Sequence, residues 1–370
     1  MDAAGDDERV NDAVPDREPE RSRPTQVSAP PKGFGKAVTL LDVAAHAGVS
    51  FKTVSRVVNG EPNVRPETTA KVLVAVDALQ YRPNQVARNL RRRRSGFLAL
   101  LVPHLNQPYF AALASWVSHA AKAYGRTLII EETSADPEQE AEVLDALASR
   151  LVDGVIFSPL VTTRDVLRSR MMAMPIVTVG EHFEPEEGDH VAIDNVGAAD
   201  AVTEHVLASG RRRIAVIGRE PGEGTGGQRW AGVIRAHDRR GLTADPDLAV
   251  PVTYYGRAEG AEAMGHLLSR APEIDAVICF SDLLAVGALR TLREHGVSVP
   301  GDVAVSGFDD IEETRFTAPR LTTVSPDIER LATEAVRLLV RRVENPQVPP
   351  QHVRVPFTLA IRGSTDAAQP

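Results

Sequence analysis

The 370 residues are enough for two or three domains and at least one sizeable core, and 43% hydrophobic with 25% charged residues is the composition of an ordinary soluble globular chain. The single cysteine, Cys279, excludes an internal disulfide framework and any cysteine-based zinc site. No apolar run approaches the roughly 18 residues of a membrane span, and the acidic start, Met1-Asp2-Ala3-Ala4-Gly5-Asp6-Asp7-Glu8, lacks an apolar export core; the expectation is a cytoplasmic protein with no membrane contact.

The net charge of −8 conceals an uneven distribution. Residues 37–96 carry 10 Lys/Arg against 4 Asp/Glu, a net of +6; residues 1–36 are at −2, which leaves −12 on the rest. A basic module on an acidic body is the electrostatic footprint of a DNA reader attached to a sensor.

Residues 1–36, rich in Pro, Asp, Glu, Arg and Ser, cannot bury enough apolar surface to offset ordering entropy and read as a disordered tail. Thr39 then stands as N-cap before a short helical pattern over 40–47, which Gly48-Val49 ends. Ser50 caps a second, Phe51 to Val58, stopped by Asn59-Gly60. A third runs from Pro66 to about Gln80 and is expected to bury Val72, Val76 and Leu79. Two short helices joined by a glycine-containing turn match a helix-turn-helix.

Residues 85–95 are helix-compatible but too short to be stable alone, and Arg91-Arg92-Arg93-Arg94 repel one another unless phosphates relieve them. From Phe97 onward short Val/Ile/Leu runs (97–102, 128–132, 154–158, 175–180, 213–218, 276–280 and 303–306) alternate with Ala-rich amphipathic stretches. Such runs are buried parallel strands covered by helices on both faces. Ligands of these sheets bind beyond the carboxyl ends of the strands.

The run Val38-Thr39-Leu40-Leu41-Asp42-Val43-Ala44, with Ala47-Gly48-Val49-Ser50 and Thr53-Val54-Ser55-Arg56-Val57-Val58-Asn59, closely resembles the DNA-binding head of the lac repressor (LacI/GalR) family. Arg82-Pro83-Asn84 with Ala87 and Leu90 is similar to that family's hinge. Asp153-Gly154-Val155-Ile156, Arg229-Trp230-Ala231-Gly232, Ser281-Asp282, Gly307-Phe308-Asp309-Asp310 and Leu321-Thr322-Thr323-Val324 continue the likeness through the body. It covers about residues 37–363.

The resemblance implies an α/β chain with a small all-α headpiece: a lambda-repressor-like helix-turn-helix at 37–82 and a hinge helix and linker at 83–96. A periplasmic-binding-protein-like body for effector binding and dimerisation would follow at 97–363. Its first lobe would take about 97–192 and 325–352, its second about 194–322 and 353–363, with 364–370 a tail.

On the same resemblance the second helix enters the major groove and offers Phe51, Lys52, Ser55 and Arg56 to base edges. Lys52 and Arg56 can donate to guanine, and Phe51 can touch a thymine methyl. The alternative is that both cations decorate a solvated face. Thr39, Ser50, Thr53 and Asn59 contact phosphate or cap helices. Ala87, Arg88 and Leu90 would meet the minor groove, where Leu90 wedges between base pairs; otherwise Leu90 closes the linker onto the body.

Positions matching the family's ligand pocket are Tyr109, Phe110, Ser134 and Ser158 in one lobe, and Thr225, Arg229, Tyr255 and Asp282 in the other. Phe110 and Tyr255 offer walls for a sugar ring, Arg229 a fork for hydroxyls or a carboxylate, and Asp282 an acceptor. Arg229 and Asp282 could instead form an ion pair between strands, and both serines could simply hold turns. Glu223, where purine-responsive relatives carry a basic residue, favours a carbohydrate or related polyol.

No catalytic constellation or metal-ligand spacing is present, and the Gly222–Gly227 loop lacks the Lys-Ser/Thr ending of a phosphate loop. No cofactor is expected. The reading is a homodimeric repressor on a double-stranded operator, controlled by a small molecule; a purine-type corepressor, a solute-binding protein and an enzyme on the same scaffold are the rivals. The closing residues are too poor in apolar positions for even two tetramerising heptads.

Overall fold

The structure, a computed structural model, describes residues 38–59, 61–81, 94–148, 152–180, 188–220 and 224–366. The chain divides into two units, Met1–Asn84 and Gln85–Pro370.

The first unit is three helices, α1 (Leu40–Ala47), α2 (Phe51–Val58) and α3 (Pro66–Ala78). Thr39 and Asp42 form a reciprocal capping box that satisfies two donors at the start of α1. Gly48 ends the helix at φ 63°, where a Cβ would be strained. Ser50 caps α2 by accepting from Thr53 N at 3.2 Å. Val43, Ala44, Val54, Val72, Ala75 and Tyr81 form the core. Of the expected α3 contacts, Val72 is buried as expected, whereas Val76 and Leu79 pack only partly against the core and Ala75 is buried instead.

The second unit contains two six-stranded sheets. The first lobe is built on β1 (Phe97–Val102), β2 (Thr127–Glu132), β3 (Gly154–Phe157), β4 (Ile176–Val179), β5 (Asp189–Ile193) and β11 (His352–Val355), in the order β11-β5-β4-β3-β1-β2, all parallel. The second uses β6 (Ile214–Ile217), β7 (Ala249–Val250), β8 (Ala276–Cys279), β9 (Ala304–Phe308), β10 (Thr322–Pro326) and β12 (Phe357–Ala360), in the order β12-β10-β9-β8-β6-β7. There only β12 runs antiparallel, against β10. Parallel pairs require crossover helices, and these cover the sheets. They are α4 (Pro108–Ala123), α5 (Pro137–Ala148), α6 (Arg164–Ala173) and α11 (Ile328–Glu344) in the first lobe, and α7 (Asn195–Ala208), α8 (Thr225–Arg239), α9 (Arg257–Arg270) and α10 (Asp282–Glu294) in the second.

All seven apolar runs are strands. The chain passes between lobes after Ile193, between Pro326 and Ile328, and at Pro356. The second and third passages fall a few residues later than the expected 322–325 and 352–353, because β10 stays paired with β9 through Val324 and with β12 through Pro326, and β11 with β5 through Val355. The expected tail also needs correction at its start. Ser364 is fully buried, donates to Val305 O at 2.6 Å and accepts from Thr322 N at 2.8 Å, and Thr365 meets His205 and Thr322. Residues 364 and 365 belong to the second lobe's fold.

Candidate functional site

In α2 the apolar residues Val54, Val57 and Val58 turn to the core. Helical spacing then puts Lys52 and Arg56, four residues apart, on the opposite face. Lys52 and Phe51 are exposed. Arg56 pairs with Glu61 at 3.4 Å and donates to Pro62 O at 3.4 Å, so its fork is held at the C-terminal end of the helix. Ser55 accepts from the Asn59 amide at 3.3 Å, and the Ser50 and Thr53 hydroxyls bond each other at 2.8 Å. Thr39, Ser50 and Asn59 therefore all work as caps of their helices. Ala87, Arg88 and Leu90 lie outside the described residues, as does Glu223.

A cavity of about 160 Å³ opens between the two lobes of the body, several times the roughly 30 Å³ that one water occupies in the liquid. It lies beyond the carboxyl ends of the strands, where doubly wound sheets bind ligands. Six of the eight expected residues line it: Tyr109 and Phe110 in the first turn of α4, Ser158 after β3, Thr225 and Arg229 on α8, and Tyr255 after β7. The rings of Tyr109 and Phe110 meet edge to face at 5.2 Å. Tyr255 donates its hydroxyl to Gly218 O at 2.7 Å. Burial and the nearby Glu220 carboxylate push that phenol well above its ordinary range, so it remains a neutral donor.

Arg229 is only 6% exposed. Its Nε donates to Asn195 Oδ1 at 2.7 Å, one terminal nitrogen donates to the Phe280 carbonyl, and the guanidinium lies 3.5 Å over the Phe308 ring. These contacts aim the fork at the cavity and tie it into the wall.

Two expected residues do not reach the cavity. Asp282, the first residue of α10, is fully buried and turned inward, where Ile311 N donates to it at 2.9 Å and the Thr323 hydroxyl at 2.6 Å. Burial and the neighbouring Asp309 raise its carboxyl well above the ordinary range. It makes no ion pair with Arg229. Ser281, the N-cap of α10, lines the cavity in its place. Ser134 is exposed at φ 53°, and its neighbour Ala135 supplies the wall.

Sequence reasoning missed His104 and Gln107 after β1, Glu220 after β6, Tyr254 after β7 and Asp309 after β9. Position just past a strand read from the sequence would have flagged all but Tyr254, which follows the unread β7. Asp309 adopts φ 112°, a costly conformation for a residue with a Cβ, and its N–H is fixed to Val324 O at 2.9 Å. Tyr254 donates across the cleft to Asn106 Oδ1 at 3.2 Å and packs edge-on against His104 at 5.0 Å. Among the described residues no cluster of His, Cys, Asp and Glu could hold a metal ion, and no helix is long and apolar enough to cross a membrane.

The arrangement has known counterparts. The model of bacterial regulatory proteins of the lacI family matches residues 39–84, and that of the periplasmic binding protein-like domain matches residues 203–365. The ribose operon repressor of Halalkalibacterium halodurans is 31% identical over 334 residues, 90% of this chain and 98% of its own. The solved complex of the transcriptional regulator CelR with cellobiose is 33% identical, with a TM-score of 0.68 over 88% of this chain and 99% of that one. The lac repressor dimer bound to operator and the anti-inducer ONPF gives a TM-score of 0.80 at 25% identity, over 89% of this chain and 99% of its own.

Proposed function

This chain belongs to the lacI family of bacterial regulatory proteins, and from that premise we propose that its cleft binds a neutral carbohydrate which sets its affinity for a palindromic operator. As a member of the family it is a DNA-binding transcriptional repressor under small-molecule control rather than an enzyme.

One observation carries the choice of effector. The cavity combines aromatic walls from Phe110 and Tyr255 with acceptors on Glu220 and Asp309 and a donor fork on Arg229. Hydroxyls, which donate and accept at once, suit that mixture, whereas the two carboxylates oppose an anion. The cellobiose bound by CelR and the ribose operon in the name of the Halalkalibacterium repressor support the same class. Tyr109, Ser158, Thr225 and Ser281 complete the contacts; Asp282 acts behind them by holding the Ile311 and Thr323 segments.

Phe51, Lys52, Ser55 and Arg56 read bases, with Ala87, Arg88 and Leu90 at the minor groove. A single helix-turn-helix reads too few base pairs to find one site in a genome, so the working unit is a homodimer on two half-sites. Its place is the cytoplasm, on the nucleoid.

Thermal unfolding in the presence of cellobiose, D-ribose, D-glucose, guanine and hypoxanthine tests the effector class. A ligand at 100 times its Kd stabilises the native state by about 2.7 kcal/mol. A carbohydrate is expected to raise the melting temperature; a rise with the purines alone would overturn the reading.

A further inference from the structure

The end of the first lobe remote from the cleft has its own polar cluster, centred on Asp153. This side chain is 5% exposed. One carboxylate oxygen accepts from Ser95 N at 2.5 Å and the Ser95 hydroxyl at 3.0 Å, the other from Gly96 N at 3.0 Å and the Arg126 guanidinium, itself 12% exposed. Asp153 immediately precedes β3, Ser95 and Gly96 precede β1, and Arg126 precedes β2. One buried carboxylate therefore staples the amino ends of three adjacent strands.

Residues 94–96 are the first described after the segment that joins the two units, so the staple also fixes the point at which that segment enters the body. Helix α11 closes the cluster from the other side. Arg94 donates to Val343 O at 3.3 Å in its last turn. At Gly154 a Cβ would meet Leu339 Cδ1 at 2.7 Å and Val343 Cγ2 at 3.2 Å, so glycine leaves room for this helix against the start of β3. The other end of α11 begins at Ile328, just after the passage from the second lobe. Seventeen residues at 1.5 Å each make a rod of about 25 Å from the interlobe crossing to the staple.

We propose that Asp153 is a positioning residue for DNA recognition: with Arg126 it fixes where the chain leaves the body, and so links the lobes to the separation of the two headpieces in a dimer. This rests on the dimeric operator-binding reading above. A buried carboxylate suits the task because it accepts from four donors on three segments at once, which makes the entry point a defined state. In Asp153→Asn the amide keeps one acceptor and turns its NH2 either toward the Ser95 donors or toward those of Gly96 and Arg126.

The test uses the full chain and a palindromic duplex that the wild type selects from a random pool, then the same duplex with one or two base pairs inserted between half-sites. Wild type is expected to lose about tenfold or more in affinity on insertion, a typical coupling between sites. Asp153→Asn should bind random duplex as wild type does, while its discrimination between spacings shrinks to about twofold. A folded Asp153→Asn that keeps full discrimination overturns the proposal, as does an equal loss on selected and random duplex. If Asp153→Asn does not fold, Ser95→Ala, which leaves the ion pair intact, must reduce the discrimination or the proposal falls. A wild type that selects no palindrome sinks the dimeric reading itself, a result distinct from all of these.

Discussion

Arg229 is both a cleft residue and a wall tie, and replacing it should separate the two roles. In Arg229→Met the Asn195 Oδ1 and the Phe280 carbonyl both lose a donor while staying buried. Each unsatisfied acceptor costs about 1–3 kcal/mol, and loss of the cation over Phe308 adds about 1–2 kcal/mol. The total is about 5 kcal/mol, comparable with the whole stability of many domains. At ~2–4 °C per kcal/mol for a body of this size, the melting temperature should fall by about 10–20 °C. Loss of one charge-assisted hydrogen bond should also weaken the effector about 10- to 100-fold. Arg229→Lys keeps a charge but not the fork, and should fall between Met and wild type on both scales. Calorimetric unfolding and isothermal titration with the carbohydrate found by thermal screening read the two effects. A fall in melting temperature under ~2 °C would refute the tie, and unchanged affinity would refute the cleft role.

Lys52→Ala and Arg56→Ala should each relax base preference at one operator position, by about 1–3 kcal/mol for a bidentate contact; equal weakening on selected and random duplex in a gel shift would make them phosphate contacts instead. Leu90→Ala should lose DNA bending in a circular-permutation assay without altering effector binding; unchanged bending removes the wedge. His205 has its pKa lowered by burial, with Asp366 opposing, so the folded imidazole stays neutral where the unfolded one takes a proton. Stability should therefore fall as pH drops below the ordinary histidine value of about 6.5. His205→Gln should flatten the melting temperature between pH 7.5 and 5.5; an identical slope in both proteins would show that other groups set it.

The seven strands legible in the sequence are short Val/Ile/Leu-rich runs, such as β1, with Leu98 through Val102 all buried. Five went unread: β7 is only two residues long, β11 and β12 are mostly half-buried or exposed, and β5 and β10 carry polar residues inside. β5 begins with Asp189, fully buried yet paired with Arg341 and Arg342 from α11, 152 and 153 residues along the chain. β10 opens on Thr322 and Thr323, whose hydroxyls are taken by Arg362, Thr365 and Asp282. Periodicity counts apolar side chains; it cannot see a partner that long-range folding supplies. The misjudged tail has the same origin, since Ser364 and Thr365 look like linker composition and are core only because Val305, Thr322 and His205 meet them.

The cleft follows a related rule. The resemblance to the family's ligand pocket located Tyr109, Phe110, Ser158, Thr225, Arg229 and Tyr255, but Ser281 and Asp282 differ by one position and face opposite ways. The N-cap of α10 must be extended, at φ −154°, which leaves Ser281 at the cavity and turns the next residue into the wall. Asp282 then resembles a ligand acceptor in sequence while its bonds to Ile311 and Thr323 make it a brace. The acceptors at the cavity come instead from Glu220 and Asp309. Both carboxylates therefore stand at the surface a ligand would touch, with the buried cation Arg229 already engaged by Asn195 and the Phe280 carbonyl. An anionic effector would meet two like charges and a partly committed guanidinium, and a neutral ring bearing hydroxyls would meet acceptors, a donor and two aromatic faces.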